Sequence, residues 1–138
     1  MSEIYDLIII GGGPAGMQAA ITLAGRGHDV TIVEKSGKLG GNLHPAGAPY
    51  FKEDIVKFEH VLEERVAKSG VKVILNTEVT PEYVKEFNPD VLFAAIGSNE
   101  LCPPIKGIDQ PRVIMAIDAE LHPEKLGKKV AIMGGGLV

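Results

Sequence analysis

The residues of this chain that could do chemistry are glycines and one acid, not nucleophiles. Gly11-Gly12-Gly13-Pro14-Ala15-Gly16 fits G-x-G-x-x-G and directly follows the apolar, strand-forming run Tyr5–Ile10. Such a turn suits a pyrophosphate. Gly11 permits the tight bend, Gly13 leaves no side chain between backbone and phosphate, and Gly16 lets the next helix approach the strand. Pro14 fits a first helical turn, where an N–H is not needed, and Ala15 continues it. That helix turns its free N–H groups and positive dipole end toward the anion. Glu34 follows Gly16 by 18 residues, near the roughly 20-residue spacing at which an acid holds a ribose hydroxyl. An acid there also repels a 2′-phosphate, so the pattern predicts a dinucleotide site for an unphosphorylated adenosine ribose.

Three further glycine groups follow, of which the first two are ambiguous from sequence. Lys35–Leu43 contains Gly40-Gly41, which reads either as a flexible loop or as a second close-approach turn beside the same ligand. Gly97 ends the apolar run Val91–Ile96. It is either a simple strand stop or part of the site, since open α/β sheets bind ligands beyond the carboxyl ends of their strands. Gly134-Gly135-Gly136, 123 residues after Gly11, opens a second G-x-G behind Lys128–Met133, which reads as a new strand. The sequence stops before the third glycine of that fingerprint. The terminus is therefore expected to be a boundary within a longer protein, and Gly134–Val138 is not expected to hold a dinucleotide by itself.

Between these groups the pattern alternates strand and helix. Ala15–Gly27 is small and apolar and ends at Gly25-Arg26-Gly27; Asp29–Glu34 and Val71–Leu75 read as strands. His44–Tyr50 is a connection punctuated by proline and glycine. Phe51–Ser69 reads as an amphipathic helix stopped by Gly70. Its apolar stripe is Phe51, Ile55, Phe58, Leu62 and Val66, and Glu53, Lys57, Glu59, Glu63, Glu64 and Lys68 form its wet face. Thr80 and Pro81 fit the N-cap and first position of a short helix closed by Asn88-Pro89-Asp90. Leu101–Pro111 has linker composition, and Val113–Leu121 reads as a short strand and helix. The expected fold is a Rossmann-like, three-layer α/β domain with a central parallel sheet. The expected division is a first nucleotide domain over 1–100, a linker with a small excursion over 101–127, and the start of a second unit over 128–138.

Bulk properties narrow the class. A chain of 138 residues, 45% hydrophobic and 23% charged, has the composition of one ordinary globular domain. A net charge of −4 with lysines spread among acids argues against a nucleic-acid surface. No apolar run approaches the roughly 20 residues that span a bilayer, and Met-Ser-Glu lacks the basic start of a signal peptide, so a cytoplasmic location is expected. A single cysteine excludes an internal disulfide and any C-x-x-C chemistry. Cys102 has no neighbour to activate it, and His60 reads as part of a solvated face.

The order of strand, G-x-G-x-x-G, Glu34, Gly40-Gly41, Ala95-x-Gly97 and second G-x-G resembles that of flavoprotein pyridine-nucleotide reductases. The likeness is closest to the reductase portion of Old Yellow Enzyme-type NADH:flavin oxidoreductases, such as 2,4-dienoyl-CoA reductase, 2-enoate reductase and trimethylamine dehydrogenase. Arg26-Gly27-His28-Asp29-Val30, Gly40-Gly41-Asn42-Leu43, Phe51-Lys52-Glu53-Asp54-Ile55 and Pro89-Asp90-Val91 carry it. The resemblance implies FAD, with Gly11, Gly13, Pro14 and Ala15 at the pyrophosphate and Glu34 at the adenosine ribose. It puts Lys35, Gly40, Gly41 and Asn42 along the nucleotide and ribityl side, Val79 at the adenine, and Ala95, Ile96 and Gly97 beside the cofactor. Gly134 and Gly136 would belong to an NADH site. The usual Ala-Thr-Gly is Ala95-Ile96-Gly97 here, which removes a hydroxyl, and the usual Ile-Pro-Gly is Ile105-Lys106-Gly107.

In the family, FMN and an iron–sulfur cluster lie in a barrel domain that this sequence does not include. Hydride passes from NADH to FAD, and electrons pass on to a distal centre that reduces an enoate- or enoyl-type substrate. The resemblance thus implies a cofactor-binding piece without turnover of its own, whose partners are the nucleotide and the remaining domains. In trimethylamine dehydrogenase the corresponding site holds ADP. An ADP-binding structural module and a single-site NAD-dependent dehydrogenase are the alternatives. The disulfide-reductase branch needs a cysteine pair past the Gly-Gly turn, and this chain has none.

Overall fold

The computed structural model of the chain describes residues 3–135. Four parallel strands, β1 (Asp6–Ile10), β2 (Asp29–Val33), β3 (Lys72–Ile74) and β4 (Val91–Ala94), form one sheet in the order β3-β2-β1-β4. The helices are α1 (Pro14–Ala24), α2 (Leu43–Ala46), α3 (Glu53–Lys68), α4 (Pro81–Phe87) and α5 (Ala116–Leu121). In register, Ile8 of β1 faces Thr31 of β2 on one side and Leu92 of β4 on the other. The chain runs outward from β1 to β3 and then returns to β4, so the strand order reverses at β1. The crevice beyond the carboxyl ends of β1 and β4 is where such sheets bind ligands.

The core explains the apolar run at the start of the chain. Leu7, Ile9, Val30 and Ile32 meet Met17 and Ala20 of α1 and Leu62 and Val66 of α3 in one buried cluster. Ile8, Thr31 and Val33, which alternate with them, are buried as well. A right-handed return from β3 to β4 carries α4 to the face opposite α1 and α3, and Tyr83, Val84 and Phe87 are its half-buried side. That layer is thin, and Val91, Leu92 and Phe93 of β4 stay exposed.

Cap chemistry behaves as the sequence predicts. Gly27 and Gly70 take positive φ after α1 and α3, and Asn88 closes α4 in the left-handed region at φ 51°. Thr80 Oγ1 accepts a hydrogen bond from the Tyr83 N–H at 3.2 Å. Thr80→Ala is expected to cost about 1 kcal/mol, read as a shift of the urea midpoint at unchanged slope.

Several expectations need correction. Strands β1 to β4 are each shorter than the apolar runs that announce them, ending at Val33 rather than Glu34 and at Ala94 rather than Ile96. His44–Tyr50 contains α2 and leads into a 3-10 turn at Tyr50–Lys52. The buried residues of α3 are Glu59, Leu62 and Val66, with Ile55 half-buried, while Phe51 and Phe58 are 71% and 50% exposed. At 3.6 residues per turn Phe58 falls just outside one edge of this stripe, and Glu59 falls within the other. Val113–Leu121 yields α5 without a strand, and Lys128–Met133 forms no ladder. Val130, Ile132 and Met133 are 54%, 85% and 67% exposed. A strand needs a partner for its N–H and C=O groups, and none of the four described strands supplies one to this segment.

Candidate nucleotide-binding site

The first turn is built as its spacing requires. Gly11 has φ +104°, a region that favours glycine, and its N–H donates to the Val33 carbonyl at 2.9 Å. A Cβ there would overlap the Ala95 carbonyl oxygen, and one on Gly16 would overlap the Gly11 carbonyl oxygen. Both positions are therefore set by close backbone approach. Gly13 differs: nothing lies within 4 Å of where its Cβ would be. It is the N-cap of α1, no side chain caps the helix, and Pro14 follows. The first-turn N–H groups of Ala15 and Gly16 have no partner within the helix, and the space over Gly13 is open, as an anion would require.

Glu34 sits just past β2 and is 8% exposed. Its carboxylate accepts from the Gly12 N–H at 2.6 Å and the Ser36 N–H at 2.8 Å. Burial raises its pKa, but the Gly12 and Ser36 N–H groups, the Ser36 hydroxyl and the Lys35 charge outweigh burial. Together they hold the carboxyl below the usual glutamate range. A carboxylate has about four acceptor positions, so the Gly12 and Ser36 N–H groups do not fill it.

The structure resolves the ambiguity of the other glycine groups. The Gly40 N–H donates to the Gly12 carbonyl at 2.9 Å, and a Cβ on Gly41 would lie 3.0 Å from the Gly13 Cα. Gly40-Gly41 is thus a second turn stacked on the first, not a free loop. Asn42 Nδ2 donates to the Ser98 carbonyl at 3.3 Å, tying that turn to the segment after β4. The Ala95 N–H donates to the Ile10 carbonyl at 2.8 Å, and Gly97 has φ +70°. Gly11–Gly13, Gly40–Asn42 and Ala95–Ser98 therefore meet at the carboxyl end of β1. Gly40 has φ +105°, and its Cα lies against the Glu59 carboxylate. Gly40→Ala is expected to cost about 2 kcal/mol from backbone strain. Adding Glu59→Ala should recover the steric part alone, measured by denaturant titration of both variants.

The remaining predicted residues are placed less tightly. Lys35 is exposed, and Ile96 is 75% exposed at the mouth of the site. Val79 is half-buried in the segment entered at Thr77, whose N–H donates to the Glu34 carbonyl at 3.0 Å. Gly134 has φ +105° and nothing within 4 Å of its Cβ position. Gly136 lies outside the described residues. The residue missed by sequence is Glu59, which its charged neighbours disguised as part of the wet face. His60 is exposed and 3.4 Å from Glu63. No helix among the described residues is long and apolar enough to cross a membrane, and none of their His, Cys, Asp and Glu clusters could hold a metal ion.

Comparison with known proteins agrees with this geometry. Cinnamate reductase of Clostridium sporogenes is 43% identical over 99% of the chain, and NADH oxidase of Thermoanaerobacter brockii is 39% identical over 96%. The chain spans only 20% and 21% of their lengths. The structure of a 2-naphthoyl-CoA reductase complex superposes with a TM-score of 0.84 at 36% identity, covering 91% of this chain and 19% of that one. The profile of the pyridine nucleotide-disulphide oxidoreductases matches residues 5–138. Cys102, the single cysteine, is exposed and has no second thiol to pair with. With its glycine turns, its acid and its sheet order all in place, the chain belongs to the pyridine nucleotide-disulphide oxidoreductase family.

Proposed function

We propose that this chain is the FAD-holding part of an NADH-dependent flavin oxidoreductase that passes reducing equivalents through FAD to another centre, where an unsaturated acyl substrate is reduced. The stacking of Gly41 on Gly13 carries this reading. One NAD fingerprint needs one glycine turn, whereas two turns joined by the Gly40–Gly12 hydrogen bond make a wall long enough for a larger dinucleotide. The relatives named for cinnamate and 2-naphthoyl-CoA support an unsaturated acyl substrate.

In this reading Gly11, Gly13, Pro14 and Ala15 receive the pyrophosphate on the N–H groups of α1. Glu34 accepts the adenosine ribose hydroxyls while fixing the turn through Gly12. Val79 borders the adenine, Lys35 and Gly40–Asn42 follow the nucleotide and ribityl side, and Ala95–Gly97 close the crevice. Gly134 and Gly136 belong to the approach of NADH, in the unit beginning at 128. The flavin ring, when bound, supplies hydride and electron transfer, and the protein supplies position and electrostatics. No side chain of this chain is assigned a catalytic step, so the chain alone is expected to show no turnover.

The test is an absorbance scan of the purified protein, followed by chromatography of the nucleotide released on heating. Visible flavin bands and released FAD are expected. Released NAD from a colourless protein would replace this reading with a dehydrogenase, and ADP alone would replace it with a structural nucleotide site.

A further inference from the structure

Glu59 is 6% exposed, although Glu53 and Glu64 on the same helix are wet. Its carboxylate lies against the Gly40 backbone. Among the described residues, the hydrogen bonds and ion pairs of α3 join Lys57 to Glu53 and Asp54, His60 to Glu63, and Lys68 to Glu64, and none reaches Glu59. No dry side-chain polar atom among them lacks a partner, so the oxygens of Glu59 reach solvent. Glu59 also lines a cavity of about 330 Å³, together with Lys38, His44, Val56, His60, Glu63 and Leu121. A carboxylate with no protein donor and only a narrow contact with solvent keeps its acceptor positions free for a ligand that brings donors. Val56 and Leu121, each 36% exposed, offer the same cavity an apolar wall. Gly41 touches Gly13 while Gly40 touches Glu59. The cavity therefore lies behind the second glycine turn, and none of the residues assigned to the nucleotide lines it.

We propose that this cavity binds a cationic nitrogen group on an apolar stem, an alkylguanidinium or alkylammonium, with its N–H donors on Glu59 and its stem along Val56 and Leu121. A guanidinium fits best, because its planar fork of donors matches a carboxylate while its stem packs on apolar surface. Glu63, already beside His60, adds negative potential at the rim; Lys38 opposes it, and the imidazoles of His44 and His60 complete the polar lining. Free amines and arginine side chains of a polypeptide carry the same chemistry.

The experiment follows the backbone amide NMR signals of Gly40, His44 and Val56 in the intact chain during titration with butylguanidinium at pH 8. Neutral butylurea, of the same shape, serves as the comparison. Saturable shifts are expected with butylguanidinium, with at least about tenfold weaker binding of butylurea and equal weakening in Glu59→Gln. Lys38→Gln should tighten cation binding several-fold and keeps the test decisive if Glu59→Gln folds poorly. A Gly-Arg-Gly amide that binds as well as butylguanidinium assigns the site to a polypeptide arginine, and one that binds far more weakly assigns it to a free amine. No saturable response to either cation, equal response to butylurea, or binding indifferent to both substitutions would overturn the proposal.

Discussion

Gly16→Ala is expected to lose about 3 kcal/mol of stability, close to the upper end for adding one methyl group to packed structure. The added Cβ would meet the Gly11 carbonyl oxygen far inside contact distance and the Ile9 Cγ2 at 3.3 Å. The first neighbour is backbone, so no flexible side chain can move aside. Relief requires α1 to lift from β1, which also displaces the N-terminal N–H groups of α1 beside the open space over Gly13. Urea unfolding should show a lower midpoint, and nucleotide affinity should fall even where the protein remains folded. An unfolding free energy within about 0.5 kcal/mol of the parent's, the usual range for a surface change, would mean that the helix does not bear on the strand as described.

Glu34→Ala carries the second large effect. It leaves the Gly12 and Ser36 N–H groups without their acceptor, at a cost of about 2–4 kcal/mol for the two donors together. It also removes the group that holds the adenosine ribose in the proposed site. The pH dependence has a definite sign. Because the folded pKa of Glu34 is lowered, its contribution is complete above the unfolded glutamate value of about 4.3. It is lost as pH falls through the lower folded value. Stability of the parent protein should therefore decline with acid more steeply than that of Glu34→Ala. Parallel acid curves for the two proteins would show that the carboxylate does not anchor the turn.

The parts of the fold legible in the sequence are those fixed by local backbone chemistry. Gly11, Gly16, Pro14, Thr80 and Asn88 each meet a need set within a few residues, so their types announce the turn, the close contact and the caps. Glu34 was legible because strand and helix lengths fix its distance from Gly16. Long-range packing was not legible. Glu59 looks like its charged neighbours, and its burial depends on the Gly40 backbone, which sequence does not place. The role of Gly40-Gly41 likewise rested on the Gly12 carbonyl, 28 residues away in the chain. Lys128–Met133 shows the reverse error. Its β propensity is real, but propensity without a neighbouring strand makes no sheet.

The most direct test of the central claim, that two stacked glycine turns hold a flavin dinucleotide, is titration of the nucleotide-free chain with FAD followed by flavin fluorescence, with ADP and NAD as competitors. The account predicts a saturable change ending at one FAD per chain, competed by ADP and only weakly by NAD. Tight NAD binding with no saturable response to FAD would contradict it.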